Sequence, residues 1–194
     1  MEAIKCIKER RSIRKFKADK VSREVMNQII DAAAYAPSWK NTQITRYTVI
    51  EDEALKAKIA DDCVLGFTYN SKTIKNAPQL VVVSYVTGRS GYEKDGSYTT
   101  SKEDRWESFD TGIATQTFCL AAHDKGVGTV ILGIFDEASV AEAVELPEGQ
   151  RIAALIAMGY ADCETPEAPK RKSIEELVSY KYLCLIEKNL EKVY

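Results

Sequence analysis

Histidine is almost missing from this chain: His123 is the only one in 194 residues. A metal site built on paired imidazoles needs a second histidine, and no H-E-x-x-H run exists. A Ser-His-Asp or Cys-His unit would have to use His123, which lies in a helical pattern with no nucleophile placed beside it. A packed or surface role is the plainer expectation for it. Cysteine is sparse and odd in number: Cys6, Cys63, Cys119, Cys163 and Cys184 are scattered, with no C-x-x-C pair. Neither a disulfide framework nor a structural zinc site follows. Both G-x-x-x-x-G-K-[ST] and G-x-G-x-x-G are absent. Gly126-Val127-Gly128 follows a helical pattern and precedes a strand pattern, the wrong order for a dinucleotide fingerprint. Those glycines suit the end of a helix. No apolar run approaches a membrane span, and the charged opening lacks the apolar stretch of a signal peptide. A cytoplasmic protein with no membrane partner is expected. Acids outnumber bases by 29 to 27, so no nucleic-acid partner is expected either. With side-chain chemistry so thin, a cofactor would carry any reaction.

What is present is an ordinary globular balance, 45% hydrophobic and 29% charged. A single domain over residues 1–194 is expected. Residues 2–9 suggest a short amphipathic helix. Val25, Met26, Ile29, Ile30 and Ala33 mark a longer one, with Asp19 and Ser22 as candidate caps. Helices are also expected over 53–63, from Tyr69 towards Pro78, from Trp106 to about Gly126, and after Asp136. Strands are expected over 46–51, 80–86, 127–132 and 151–158, the second buried on both faces. Residues 87–102 break the pattern with three glycines, a long loop of the functional or mobile kind. Ser173-Ile174-Glu175-Glu176 spells a capping box, and the tail from about 181 to 194 is expected to reach towards a partner. Mixed helices and strands without strict alternation give an α+β class.

One stretch concentrates charge. Between Lys8 and Lys17 stand six cationic side chains and one acid, Glu9, in a chain of net charge -2. Such crowding costs self-repulsion that a bound anion relieves, and the arginine fork suits a phosphate. A solvated basic loop is the plainer alternative.

Arg10-Arg11-Ser12-Ile13-Arg14 after a short first helix resembles the opening signature of the flavin-dependent nitroreductase family. Ala36-Pro37-Ser38-Trp39-Lys40-Asn41-Thr42-Gln43 is similar to that family's second motif. Asp110-Thr111-Gly112-Ile113-Ala114, running on to Gly126-Val127-Gly128-Thr129, resembles its central helix and following strand. Gly159-Tyr160, the linker and Arg171-Lys172-Ser173 resemble its closing segment. The four motifs stand in the family's order across residues 2–180.

The resemblance implies a central, mostly antiparallel sheet packed by helices, in an intertwined homodimer with FMN at the subunit interface. Arg10, Ser12 and Arg14 would contact the phosphate, ribityl chain and pyrimidine edge, with Arg11 adding backbone or phosphate contact. Pro37, Ser38 and Asn41 would come from the other subunit. Asn70 would lie near the flavin's polar edge, and Leu132 and Gly133 against its ring. Arg171, with Lys170 or Lys172, would close on the phosphate. Thr73 stands where the family often has lysine, leaving flavin tuning to Arg14. Tyr92, Tyr98 and Trp106 could stack over the flavin or simply pack, and Trp39 could be an interface residue. The implied activity is hydride transfer from NADH or NADPH through FMN to a small organic acceptor such as a nitroaromatic or quinone, donor and acceptor alternating. A flavin store or sensor, or a same-fold enzyme of dehalogenation or flavin breakdown, are the alternatives.

Overall fold

The computed structural model describes residues 2–181. Its helices are α1 (Ala3–Glu9), α2 (Arg23–Ala34), α3 (Glu53–Asp62), α4 (Thr68–Asn76), α5 (Arg105–Asp124), α6 (Glu137–Ala143) and α7 (Ile174–Leu177). Its strands are β1 (Thr45–Ile50), β2 (Gln79–Val86), β3 (Gly128–Leu132) and β4 (Gln150–Gly159), forming one antiparallel sheet of order β1-β2-β4-β3.

The unbroken apolar run of β2 follows from helices on both faces of this sheet. Successive side chains of a strand point to opposite sides. Leu80 and Val82, with Leu155 and Ala157 of β4, pack against Ile59, Ile74 and Val140 from α3, α4 and α6. Val81 and Val83, with Ile156 and Met158, pack against Met26, Ile29, Phe118 and Cys119 from α2 and α5. The fold is therefore α+β with an antiparallel sheet sandwiched by helices.

Local chemistry sets the helix ends. Ser22, not Asp19, caps α2 by accepting the Val25 N–H at 3.3 Å. Asp52 caps α3 through the Leu55 N–H, and Asp136 caps α6 through the Ser139 N–H. The capping box at Ser173 forms as its spelling requires, although α7 behind it is a single turn. The tail from 182 to 194 lies outside the described residues.

The basic stretch is fixed as an extra edge beside β3. Ser12 bridges Thr129 in parallel, and the Ile13 N–H donates to the Thr129 carbonyl at 3.0 Å. Phe16 then bridges Ala161, with the Lys17 N–H on the Tyr160 carbonyl at 2.8 Å and the Asp162 N–H on the Lys15 carbonyl at 3.0 Å. Asn76 Oδ1 accepts the Phe16 N–H at 3.0 Å. Ile13 and Phe16 turn into the core while Arg14 and Lys15 stay outside. Charge is thus displayed by a backbone that two buried apolar side chains hold down.

Gly128 makes this approach possible. A Cβ there would stand 2.8 Å from Ile13 Cβ, a distance that forces Ile13 or the strand to move. Gly128→Ala is expected to destabilise the chain by about 1–3 kcal/mol through overpacking. Thermal unfolding at fixed protein concentration checks this, and the companion Ile13→Val should recover none of the loss, because it keeps Cβ and both γ carbons that the added methyl would meet.

Candidate functional site

Pinning the basic stretch beside β3 creates two adjoining cavities. The first, about 240 Å³, lies at the start of β3 and is lined by Arg10, Arg11, Gly128, Thr129 and Thr165, with His123 from the last turn of α5. Arg11 Nη1 donates to the Lys8 and Arg10 carbonyls at 2.6 and 2.8 Å, which fixes the side chain. Three nitrogens around this cavity, Arg10 Nε, Arg11 Nε and His123 Nε2, are buried without a hydrogen-bond partner. A buried donor left unpaired costs about 1–3 kcal/mol, more when charged. A phosphate, rich in acceptor oxygens and negatively charged, fits all three. An apolar or cationic occupant would not.

The second cavity, about 360 Å³, lies at the other end of β3 and is lined by Arg14, Asn70, Thr73, Leu132, Gly133 and Ile134 among others. The two cavities succeed one another along β3, the first lined as far as Thr129 and the second from Val130 onward. Leu132 turns its side chain into the core, so its backbone is what faces this space. Gly133 is exposed, and a Cβ built on it would touch nothing within 4 Å. Ile131 and Ile134, flanking this strand end, are 45% and 44% exposed. Asn70 is buried and donates from Nδ2 to the Ile134 carbonyl at 2.9 Å, which fixes the floor. Thr73 donates back to the Tyr69 carbonyl at 2.7 Å. Arg14 makes only a 3.4 Å contact to the Ser12 carbonyl and is otherwise exposed. Together the cavities give an anion pocket joined by one strand to an open, half-apolar ledge beside a cation.

The second motif lies elsewhere in the chain. Pro37 and Ser38 line a separate cavity of about 290 Å³ with Asp110 and Ala114, while Asn41 is exposed on a 3-10 turn (Trp39–Asn41). Lys40 and Asn41 adopt positive φ, 46° and 56°, and Ser38 Oγ accepts the Gln43 N–H at 3.0 Å. None of Pro37, Ser38 and Asn41 lines either cavity beside β3. Arg171 and Lys172 are exposed and, among the described residues, form no hydrogen bond or ion pair.

Residues 87–104 pack onto that turn rather than onto the β3 ledge. Asp110 Oδ2, buried, accepts the Trp39 N–H at 2.8 Å and the Ser90 hydroxyl. Lys40 pairs with Glu93 at 2.9 Å. Trp106 packs against Trp39 in a tilted pair with ring centroids 4.8 Å apart, and Tyr92 against Tyr98 likewise at 4.9 Å. The hydrogen bond that the Tyr92 hydroxyl donates to Tyr98, aided by burial, pushes the Tyr92 pKa up to about 12. None of Tyr92, Tyr98 and Trp106 lines the cavity holding Arg14 and Gly133. Trp39 Nε1 and Thr42 Oγ1 are buried without partners on this face.

Two contributors escape sequence reasoning. His123 joins the arginines because α5 stops where it does, which composition does not announce. Asp110 reads as part of a helical pattern, and only its burial beside Trp39 and Ser90 shows that it ties loop to turn.

The fold and these cavities define an α+β protein with an anion pocket and a ledge along one edge strand. Residues 7–160 match the model of the nitroreductase family, and the chain belongs to that family. It is 29% identical over 187 residues to the iodotyrosine deiodinase of Thermotoga neapolitana, covering 86% of this chain and 92% of that protein. It is 28% identical over 185 residues to the putative NAD(P)H nitroreductase YfhC of Bacillus subtilis, covering 88% and 89%. The FMN complex of a putative nitroreductase from Exiguobacterium sibiricum 255-15 shares the fold, with a TM-score of 0.76, 22% identity, and 93% and 98% covered.

Glu107 gives a pH test of the loop's anchorage. Its buried carboxylate accepts the Gly88 N–H at 2.6 Å. Burial raises its pKa, and the amides of Gly88 and Arg89 pull it back only in part. A raised carboxyl favours folding fully below its unfolded value, and that contribution is lost as pH rises through the folded value. Stability should therefore decline as pH climbs above about 4.5. Glu107→Gln keeps an acceptor without the buried charge and should flatten that part of the profile, measured as unfolding midpoint against pH.

Proposed function

We propose that the chain is an FMN-dependent oxidoreductase that takes electrons from NADH or NADPH and delivers them to a small organic acceptor. The observation that carries this is the trio of unpaired buried donors around a cavity that β3 joins to an open ledge. Arg10 and Arg11 would hold the phosphate, with Ser12 on the ribityl chain between the cavities. Arg14, exposed beside the ledge, would put positive charge at the pyrimidine edge. Asn70, already donating to the Ile134 carbonyl, would hold the ledge in shape and meet the flavin's polar edge. The exposed backbone at Gly133 lets main chain approach the ring without a side chain intervening. Bound FMN supplies the redox chemistry, passing hydride equivalents from nicotinamide to acceptor. No side chain is required as a general acid, so the protein's part is to bind, orient and exclude water.

Because Pro37, Ser38 and Asn41 stand apart from both cavities, their family role is met by a second copy of the chain, which supports a homodimer with two shared sites. Trp39, Trp106 and residues 87–104, packed together beside that motif, would then wall the partner's ledge. Arg171 and Lys172 would close on the phosphate from the C-terminal side.

Reductive dehalogenation of a halophenol is the second reading, favoured by the 29% identity to a deiodinase and by the aromatic surface around Trp106. Both readings use one cofactor site and differ in the acceptor.

Purified protein should be yellow with near-stoichiometric flavin, bleach anaerobically with NADH or NADPH, and regain colour with a nitroaromatic or quinone. Recovery with an iodophenol and iodide release, but not with those acceptors, would select the second reading. A flavin that neither nicotinamide bleaches would make the chain a store or sensor, and a colourless protein unable to take up FMN would end the proposal.

A further inference from the structure

His123 lines the anion cavity, and the family motifs give it no role. Its place is set by how α5 ends. The Gly126 N–H donates to the His123 carbonyl at 3.0 Å and the Val127 N–H to the Ala122 carbonyl at 2.8 Å, with Gly126 at φ +75°. That turn brings the chain straight into β3, with the end of α5 and the Arg10 and Arg11 side chains lining one cavity. The imidazole lines their cavity, and its Nε2 is buried without a partner, as are both arginine Nε atoms. A structural histidine would be expected to spend that nitrogen on a carbonyl or carboxylate. Here it is left unpaired, although Arg10, Arg11, Thr129 and Thr165 line the same cavity.

An occupant that satisfies all three nitrogens must present several acceptor oxygens converging on one centre and carry negative charge. A neutral ribityl hydroxyl would leave the positive charge of the two half-buried arginines uncompensated. A terminal phosphate meets both demands.

We propose that His123 is a third phosphate ligand, donating from Nε2 to the phosphate monoester of the flavin nucleotide alongside Arg10 and Arg11. This rests on the FMN reading above. It gives the chain an anion clamp within residues 10–123, before any contribution from Arg171 or Lys172.

Fluorescence titration of flavin-free protein with FMN and with riboflavin, which lacks the phosphate, tests it. His123→Ala should raise the FMN Kd about tenfold, the loss of one hydrogen bond to a charged group. His123→Gln, keeping an N–H of similar reach, should recover part of that. Riboflavin affinity should be the same in all three proteins. An unchanged FMN Kd, or an equal loss for FMN and riboflavin, overturns the role of His123 while leaving FMN binding intact. A wild-type protein that binds no FMN removes both readings.

Discussion

Everything at the site depends on one backbone contact, the Ile13 N–H on the Thr129 carbonyl, which lays a cationic segment along the free edge of β3. Six cations within ten residues repel one another and would be expected to spread into solvent. They are held because Ile13 and Phe16 are buried to 6% and 5% exposure and because Gly128 lets Ile13 close on the strand. Hydrophobic anchoring thus keeps in place a charge cluster that electrostatics alone would disperse. The stored repulsion is what an anion relieves.

The sheet explains why the site is at this edge. Leu80–Val83 of β2 and Leu155–Met158 of β4 are buried on both faces, whereas β3 ends in an exposed glycine between two half-exposed isoleucines. A planar, largely apolar ring with one charged tail suits a ledge at one strand end and a donor-lined pocket at the other. The second motif stands apart, tied by Asp110 and Trp106 to the 87–104 segment. In a single chain it serves neither cavity, which is the physical argument for a shared site.

Much of this was legible from residue order. The alternation of Leu80–Val83 between two helix layers, the caps at Ser22, Asp136 and Ser173, and the cluster at Arg10–Arg14 all follow from local rules. Asp52 follows from the same rules, standing between the strand expected over 46–51 and the helix expected over 53–63. His123 escaped because its neighbour across the cavity lies more than a hundred residues earlier. The pairing of Trp39 with Trp106 escaped for the same reason, since each reads locally as a lone aromatic in a polar setting. Long-range contacts of single side chains leave no periodic trace.

A structure of the protein soaked with FMN tests the central claim most directly. The account predicts the phosphate within hydrogen-bond distance of Arg10 and Arg11 Nε, with the ring beside Gly133 at the far end of β3. A phosphate bound elsewhere, with that pocket filled by water alone, would contradict it.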